Sequence, residues 1–304
     1  MAGLLSLDEI DAPRMLALVD RAVELHRDRS AHDSPLAGSV AGMMFLQTST
    51  RTRTAFSSAT VRLGGDILTF GPHDLQLSTG ESRPDTGRMF SAMLDLLVVR
   101  TSGPTTHLRD FSGGGGLPVV NAMSADEHPT QALTDIAVLR GHFGDLTGLK
   151  LLYIGEGNNT ATALVRAATM VPGCQATFWT PPGYGLPDEL VDRCHCRAAE
   201  AAGSVRQVSS ADELPADVDA VYTTRWQTTG TAKADPSWRE VFRPYFIDAA
   251  LMARWPEARV LHDLPAHRGE EISGEVLDGE HSLAWTQGAM KLATAMAVLE
   301  WVAR

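Results

Sequence analysis

Cysteine, basic charge and long apolar runs are all scarce in this 304-residue chain. The three cysteines, Cys174, Cys194 and Cys196, are an odd set, and Cys194-His195-Cys196 lacks the second ligand pair that a structural zinc site needs. They read as reduced thiols, and no metal is expected. Lys and Arg number 26 against 37 Asp and Glu, a formal net charge of -11. A nucleic-acid partner is therefore not expected, because a phosphate backbone is held by clustered cations. An anionic small molecule is not excluded, since it would meet a local group of arginines rather than the average surface. No apolar run reaches the ~18 residues needed to span a bilayer. The first ten residues also lack the basic region and apolar segment of a secretory leader. The chain is expected to be soluble and cytoplasmic, with no membrane partner.

What is present is an alternation of short apolar runs and helical stretches. The length suits two domains of about 150 residues each. Residues 43–46, 66–70, 94–99 and 117–120 read as strands in the first half, and residues 150–154, 175–179, 218–222 and 259–261 in the second. The segments between them are long enough for crossovers, so each half predicts a mostly parallel sheet flanked by helices, an α/β fold. A helix over 134–143, ending at Gly144, falls between the two sheets, and another runs from about 287 to 302. Gly113 to Gly116 reads as a surface loop and Thr180-Pro181-Pro182-Gly183 as a turn. In open sheets of this kind ligands bind beyond the carboxyl ends of the strands. Ser49, Arg100, Asn159, Arg225 and His262 all fall there.

The richest stretch is 45–57, where an apolar strand empties into Ser49-Thr50-Arg51-Thr52-Arg53 just before a helical pattern carried by Ala55, Phe56, Ala59 and Leu63. Ser49 and Thr50 are expected at the N-cap. Free N–H groups and the helix dipole favour an anion there, and Arg51 or Arg53 adds a planar fork that suits phosphate. A capped surface helix with two solvated arginines fits the same residues.

Five motifs then bring a family into view. Ser49 to Arg53 resembles the carbamoyl phosphate motif of the aspartate and ornithine carbamoyltransferases, His128-Pro129-Thr130-Gln131 resembles their His-Pro-x-Gln, and Val99-Arg100-Thr101 their arginine at a strand end. Gly155-Glu156-Gly157-Asn158-Asn159 is similar to the ornithine branch's Gly-Asp-x-Asn-Asn, and His262-Asp263-Leu264-Pro265 to its His-Cys-Leu-Pro. The resemblance implies a carbamoyl phosphate domain over 1–143, an acceptor domain over 144–286, and a helix over 287–304 returning to the first domain, so that two helices join the domains.

It also implies an activity: attack of a neutral amine on the carbonyl of carbamoyl phosphate, with phosphate leaving and no cofactor. Ser49, Thr50, Arg51 and Thr52 would hold the phosphate, while Arg100 and His128, with the Thr52 hydroxyl, would donate to the carbonyl oxygen. Gln131 and the Leu264 carbonyl would accept from the carbamoyl amide. Gln76, in the loop 71–82, resembles the glutamine that reaches carbamoyl phosphate from the next subunit of a homotrimer.

The acceptor side departs from the family. The ornithine branch's Asp-x-Trp-x-Ser-Met-Gly is here Thr224-Arg225-Trp226-Gln227-Thr228-Thr229-Gly230, which replaces the aspartate that pairs with an α-ammonium. Thr224-Arg225-Trp226-Gln227 resembles instead the aspartate branch's Thr-Arg-x-Gln, yet that branch's second arginine, expected near Asn158-Asn159, is absent, and the ornithine-like asparagines stand there. Asp263 replaces the cysteine, and Ala289-Met290-Lys291 the terminal Glu-Asn-Arg, leaving Lys291 to keep positive charge near the phosphate. A carboxylate beside an attacking amine raises its pKa unless it accepts the proton or holds another amino group. The expected enzyme is a carbamoyltransferase with Arg100, His128 and Asp263 as catalytic residues. Its acceptor, held by Asn159, Thr224, Arg225, Gln227, Thr228 and Asp263, is expected to bear a carboxylate and to be neither ornithine nor aspartate. A housekeeping ornithine or aspartate carbamoyltransferase, and a silent homologue that only binds carbamoyl phosphate, stay open as alternatives.

Overall fold

A computed structural model of the protein describes residues 3–112, 114, 116–228 and 232–303. Its contacts divide the chain into two units: residues up to Ala137 together with Ala289 onward, and Val138–Gly288. The helix Pro129–Phe143 passes from the first unit to the second, and the helix Ala284–Val302 passes back.

In the first unit β1 (Val40–Phe45), β2 (Asp66–Phe70), β3 (Leu96–Arg100) and β4 (Val119–Met123) form a parallel sheet in the order β2-β1-β3-β4. The central strand β3, Leu-Leu-Val-Val-Arg, is buried throughout, as a parallel strand covered on both faces must be, whereas the edge strand β2 is largely exposed. Leu97 and Val99 pack with Met44, Leu108, Phe111 and Val119. The chain's first described residues extend the other edge: Leu4 N–H donates to Val119 O at 2.9 Å, and Asn121 N–H to Leu4 O at 2.8 Å.

The second unit holds β5 (Lys150–Ile154), β6 (Gln175–Trp179), β7 (Ser204–Val208), β8 (Ala220–Thr223) and β9 (Arg259–His262), all parallel, in the order β7-β6-β5-β8-β9. Leu152, Ile154, Trp179, Val221 and Val260 form its core with Tyr245, Ile247 and Trp255. The two-domain parallel α/β architecture is as expected.

The sequence-based strand limits need correction in places. β3 starts later and runs on through Arg100, and β4 lies two to three residues further along, at Val119–Met123, with its register shifting between Val99 and Arg100. β7 was not anticipated: it buries only Val205 and Val208, as an edge strand can, so it presents no apolar run. The helix expected over 134–143 begins at Pro129, because proline suits a first helical turn, where its missing N–H costs no bond. Residues 180–183 do form a turn, but Gly113 and Gly115 of the expected loop lie outside the described residues. Among the described residues no helix is long and apolar enough to cross a membrane.

Candidate active site

The first unit's topology reverses at β1 and β3. β1 connects to β2 on one side and is flanked by β3 on the other, and Phe45 is in register with Arg100, so these two strand ends lie side by side. Leu46 N–H donates to Arg100 O at 2.9 Å, which fixes the exits of both chains. The helix Arg51–Arg62 starts just beyond. Its N-cap is Thr50, already in the right-handed helical region and making no side-chain cap bond, while Ser49 Oγ accepts from Arg53 N–H at a long 3.4 Å. The expectation that both hydroxyls cap this helix is corrected to one weak bond from Ser49. A helix whose N-cap hydroxyl caps no amide keeps it available to an anion.

Behind that helix, Thr52, Phe56, His128, Gln131, Thr134 and Lys291 line a small cavity. Burial holds the His128 imidazole well below its ordinary pKa of 6.5, and the Lys291 and Arg100 charges push it the same way. The ring is neutral at physiological pH and acts as a hydrogen-bond donor or acceptor, not as a cation. Its Nδ1 lies 3.5 Å from Thr130 Oγ1.

Lys291, on the returning helix, donates through Nζ to Gln131 Oε1, and Gln131 Nε2 donates to Asp135 Oδ1 at 2.7 Å. Gln131 had been expected to offer its oxygen to a ligand amide. That oxygen already accepts from Lys291, so a ligand would have to use its second lone pair.

The turn carrying His128 is secured from a distance. Glu127, buried, accepts from Ser6 Oγ at 2.6 Å and Leu7 N–H at 2.9 Å, and Asn121 Nδ2 donates to Leu5 O at 2.9 Å. Ser6, Asn121 and Glu127 escaped the sequence reading, which had no signal that the N-terminal segment reaches this turn. Gln76 is exposed on the short 3-10 helix Gln76–Thr79, its Oε1 accepting from Thr79 Oγ1 at 2.8 Å, and it does not line the cavity.

In the second unit β5 leads through Gly155-Glu156-Gly157 into the helix Asn159–Ala168. Gly155 has φ +137°, and a Cβ on Gly157 would lie 2.2 Å from Leu186 N, so the turn admits little but glycine at these points. Asn158 is a structural cap, its Oδ1 accepting from Thr160 N–H at 3.0 Å and Ala161 N–H at 3.1 Å, whereas Asn159 opens the helix and is buried.

Asp263 follows β9 and joins this edge. Its Oδ2 accepts from Thr160 Oγ1 at 3.1 Å. His262 Nδ1 lies 3.6 Å from Asp263 Oδ1 but accepts from Leu264 N–H at 2.8 Å, which leaves Nε2, 3.1 Å from Glu271 Oε1, as the ring's donor. His262 N–H donates to Gln287 Oε1 at 2.8 Å, and Gln287 Nε2 to Tyr222 Oη at 3.3 Å, which braces the strand end. Leu264 is held at φ +53°, a conformation costing a β-carbon-bearing residue roughly 1–3 kcal/mol. Tyr153 is buried beside Asp263 and Glu156; burial raises its pKa well above 10, and those charges add to the effect. It remains a phenol, donating to Glu156 O at 2.5 Å.

After β8, Thr224 is buried and Arg225, Gln227 and Thr228 are half-buried, while Thr229 and Gly230 of the quoted motif lie outside the described residues. Thr228 Oγ1 lies 3.4 Å from Glu156 Oε2, and Glu156 also pairs with Lys233, a partner that the sequence reading missed.

The described residues contain one group of donors close enough for a cation: His267, Glu270 and Glu271, with ligand atoms within 4.8 Å of one another. Glu271 Oε1 is already engaged by His262 and by His267 N–H at 2.5 Å.

Two parallel sheets, each with polar side chains gathered at its carboxyl edge, and a threonine, a neutral histidine, a glutamine and a buried lysine grouped beside the first of them, are an arrangement suited to small polar substrates. The family models for the "carbamoyl-P binding domain" and the "Asp/Orn binding domain" of aspartate/ornithine carbamoyltransferases match residues 3–141 and 147–302. The chain is 38% identical over 301 residues to an ornithine carbamoyltransferase of Gloeobacter violaceus, covering 97% of this chain and 94% of that one. It is 37% identical over 298 residues to that of Methanoculleus marisnigri, with the same coverage. The solved ornithine carbamoyltransferase of Pyrococcus furiosus superimposes with a TM-score of 0.91 at 31% identity, over 98% of this chain and 96% of its own. The chain belongs to the aspartate/ornithine carbamoyltransferase family. It is a carbamoyltransferase.

Proposed function

We propose that the protein moves the carbamoyl group of carbamoyl phosphate to the side-chain amine of ornithine or a near homologue among the α,ω-diamino acids. The relatives named above support ornithine itself, better than they support the unusual acceptor expected from the motif departures. The observation that carries the diamino-acid class is Asp263, a carboxylate tied to Thr160 at the edge where Asn159 begins its helix. An amine arrives largely protonated and must be neutral to attack. A carboxylate that first holds the ammonium and then takes up its proton meets both needs.

On the first unit, Arg51 with the Ser49 to Thr52 segment would hold the phosphate, and Arg100 with the neutral His128 would donate to the carbonyl oxygen as it becomes an oxyanion. Donors fixed where charge develops are usually the largest catalytic contribution. Lys291 would add positive charge on the phosphate side. Gln76, by resemblance, would act from a neighbouring copy in a ring of three. The composition is in keeping with a cytoplasmic enzyme.

Thr224 favours a second reading, in which the acceptor is a diamino acid shorter than ornithine. It is a buried hydroxyl at the position where the ornithine branch carries an aspartate. One experiment separates the two: phosphate release and ureido product measured with 2,3-diaminopropionate, 2,4-diaminobutyrate, ornithine, lysine and aspartate. Ornithine turned over with kcat/KM near 10⁵ M⁻¹s⁻¹, about the usual value for an enzyme on its own substrate, establishes the first reading. A shorter diamino acid preferred over ornithine by about tenfold, roughly 1.4 kcal/mol of transition-state binding, establishes the second. No turnover with any of them overturns both.

A further inference from the structure

Lys233 is an unusual lysine. Its side chain is 5% exposed, it pairs with Glu156 Oε1, and Glu156 is itself only 19% exposed. Around the ammonium stand three rings, with centroids 5.0 Å away for Tyr184, 5.3 Å for Trp238 and 5.1 Å for Phe242. The rings hold one another: Tyr184 and Phe242 meet edge-on at 4.9 Å, Trp238 and Phe242 at 5.5 Å, and Trp226 packs on Phe242 at 5.7 Å.

A primary ammonium in such a cage is attracted by the ring faces and by its carboxylate, but it has given up its water. Desolvation offsets much of the gain in a buried ion pair, so stability is a weak reason to keep one. Its geometry suggests another use. Glu156 sits in the Gly155-Glu156-Gly157 turn, which tight packing makes rigid and which leads directly to Asn159. Lys233 lies on the segment that follows β8 and carries Arg225, Gln227 and Thr228. Glu156 reaches that segment twice, through Lys233 and through Thr228 Oγ1 at 3.4 Å. The two stretches of chain are 77 residues apart, and this one carboxylate ties them together.

We infer that the Glu156–Lys233 pair is a positioning device for the acceptor site: it holds Arg225, Gln227 and Thr228 in register with Asn159 and so governs how tightly the acceptor binds. This rests on the reading that these residues hold the acceptor. The pair touches no reacting atom, and Lys233, inside its cage, is not a ligand for the substrate carboxylate. The effect therefore falls on the acceptor alone, not on carbamoyl phosphate, whose proposed residues Ser49 to Thr52, Arg100, His128 and Lys291 belong to the first unit.

Lys233→Met keeps the apolar stem in the cage and removes the charge; Lys233→Arg keeps a charge; Glu156→Gln keeps the shape of the carboxylate without it. Each is compared with wild type for acceptor KM, kcat, carbamoyl phosphate affinity by calorimetry, Tm, and hydrogen exchange of the amides of residues 224–228. Lys233→Met and Glu156→Gln are expected to raise acceptor KM by about tenfold or more, because residues no longer held in place must be ordered on binding. In those variants kcat and carbamoyl phosphate affinity stay within about threefold and exchange over 224–228 is faster, while Lys233→Arg recovers most of the loss. A fall in Tm with unchanged acceptor KM would mean a merely structural ion pair and would overturn the proposal, as would an equal loss of carbamoyl phosphate affinity. If wild-type protein turns over none of the amines, the acceptor reading fails by itself. The exchange measurement then decides, and unchanged exchange over 224–228 in Lys233→Met overturns the pairing role.

Discussion

Replacing Lys291 by methionine tests the donor half of the site most directly. Its ammonium is buried, shares a cavity wall with Thr52 and His128, and donates to Gln131 Oε1. A dianionic phosphate bound at the Ser49 to Thr52 segment, within reach of this ammonium, would gain a charge-assisted bond from it, worth about 1.5–3 kcal/mol. Since roughly 1.4 kcal/mol is a factor of ten, carbamoyl phosphate should bind about ten- to a hundredfold more weakly to Lys291→Met. The variant keeps the aliphatic length of the side chain, so little packing is lost. A second consequence comes from the same charge. Lys291 helps depress the His128 pKa, so removing it should move the His128 titration upward, towards its ordinary 6.5. Calorimetry with carbamoyl phosphate or inorganic phosphate reads the first effect, and the imidazole resonances of a pH-titrated sample read the second. Affinity within twofold of wild type, in a variant that remains folded, would refute the assignment of Lys291 to the phosphate side.

Arg51→Ala should abolish detectable binding of carbamoyl phosphate in the same calorimeter, and Arg51→Lys should weaken it strongly, because a point charge lacks the planar fork; undiminished affinity in the alanine variant would contradict the phosphate role. His128 makes stability pH-dependent with a definite sign. Below pH 6.5 the unfolded imidazole takes up a proton that the folded one refuses, so its contribution is complete above that pH and is lost as the pH falls, at up to about 1.4 kcal/mol per unit. Urea unfolding of wild type and His128→Asn at pH 7.5 and 5.5 should differ accordingly, and equal pH dependence in the two would show the histidine to be accessible. Sedimentation should find a trimer or a multiple of it, with Gln76→Ala losing activity while its assembly is unchanged; a fully active monomer at micromolar concentration would exclude completion of the site by a neighbour.

The fold was legible wherever burial leaves a mark on composition. Residues 150–154 and 175–179 coincide with β5 and β6 because continuous apolar runs are what a two-sided parallel sheet demands. β7 was missed for the same reason in reverse: an edge strand with Arg206 and Gln207 in its middle has no such mark. Ser49 to Arg53, Arg100 and His128 could be found because each sits next to its strand end in the chain. The ties that arrange them could not. Lys291 meets Gln131 across 160 residues, Ser6 meets Glu127 across 121, and Lys233 meets Glu156 across 77. Periodicity reports which face is apolar and says nothing about such pairings, so the departures near Thr224 and Asp263 stood out in the sequence, whereas Lys233 in its aromatic cage did not.

The helix Ala284–Val302 passes back to the first unit after Gly288, and this orders events during synthesis. The first sheet, its Arg51 helix and the His128 turn leave the ribosome early, and domains generally fold as units in that order. Lys291 is made 160 residues after Gln131. Until it emerges, a folded first domain would present its proposed phosphate segment without that ammonium, and His128 would feel one less neighbouring charge. The nascent domain would therefore hold carbamoyl phosphate poorly while it has no acceptor domain to use it. An isolated fragment of residues 3–137 should have the same defect, so adding back the returning helix as a separate peptide is the way to restore its binding.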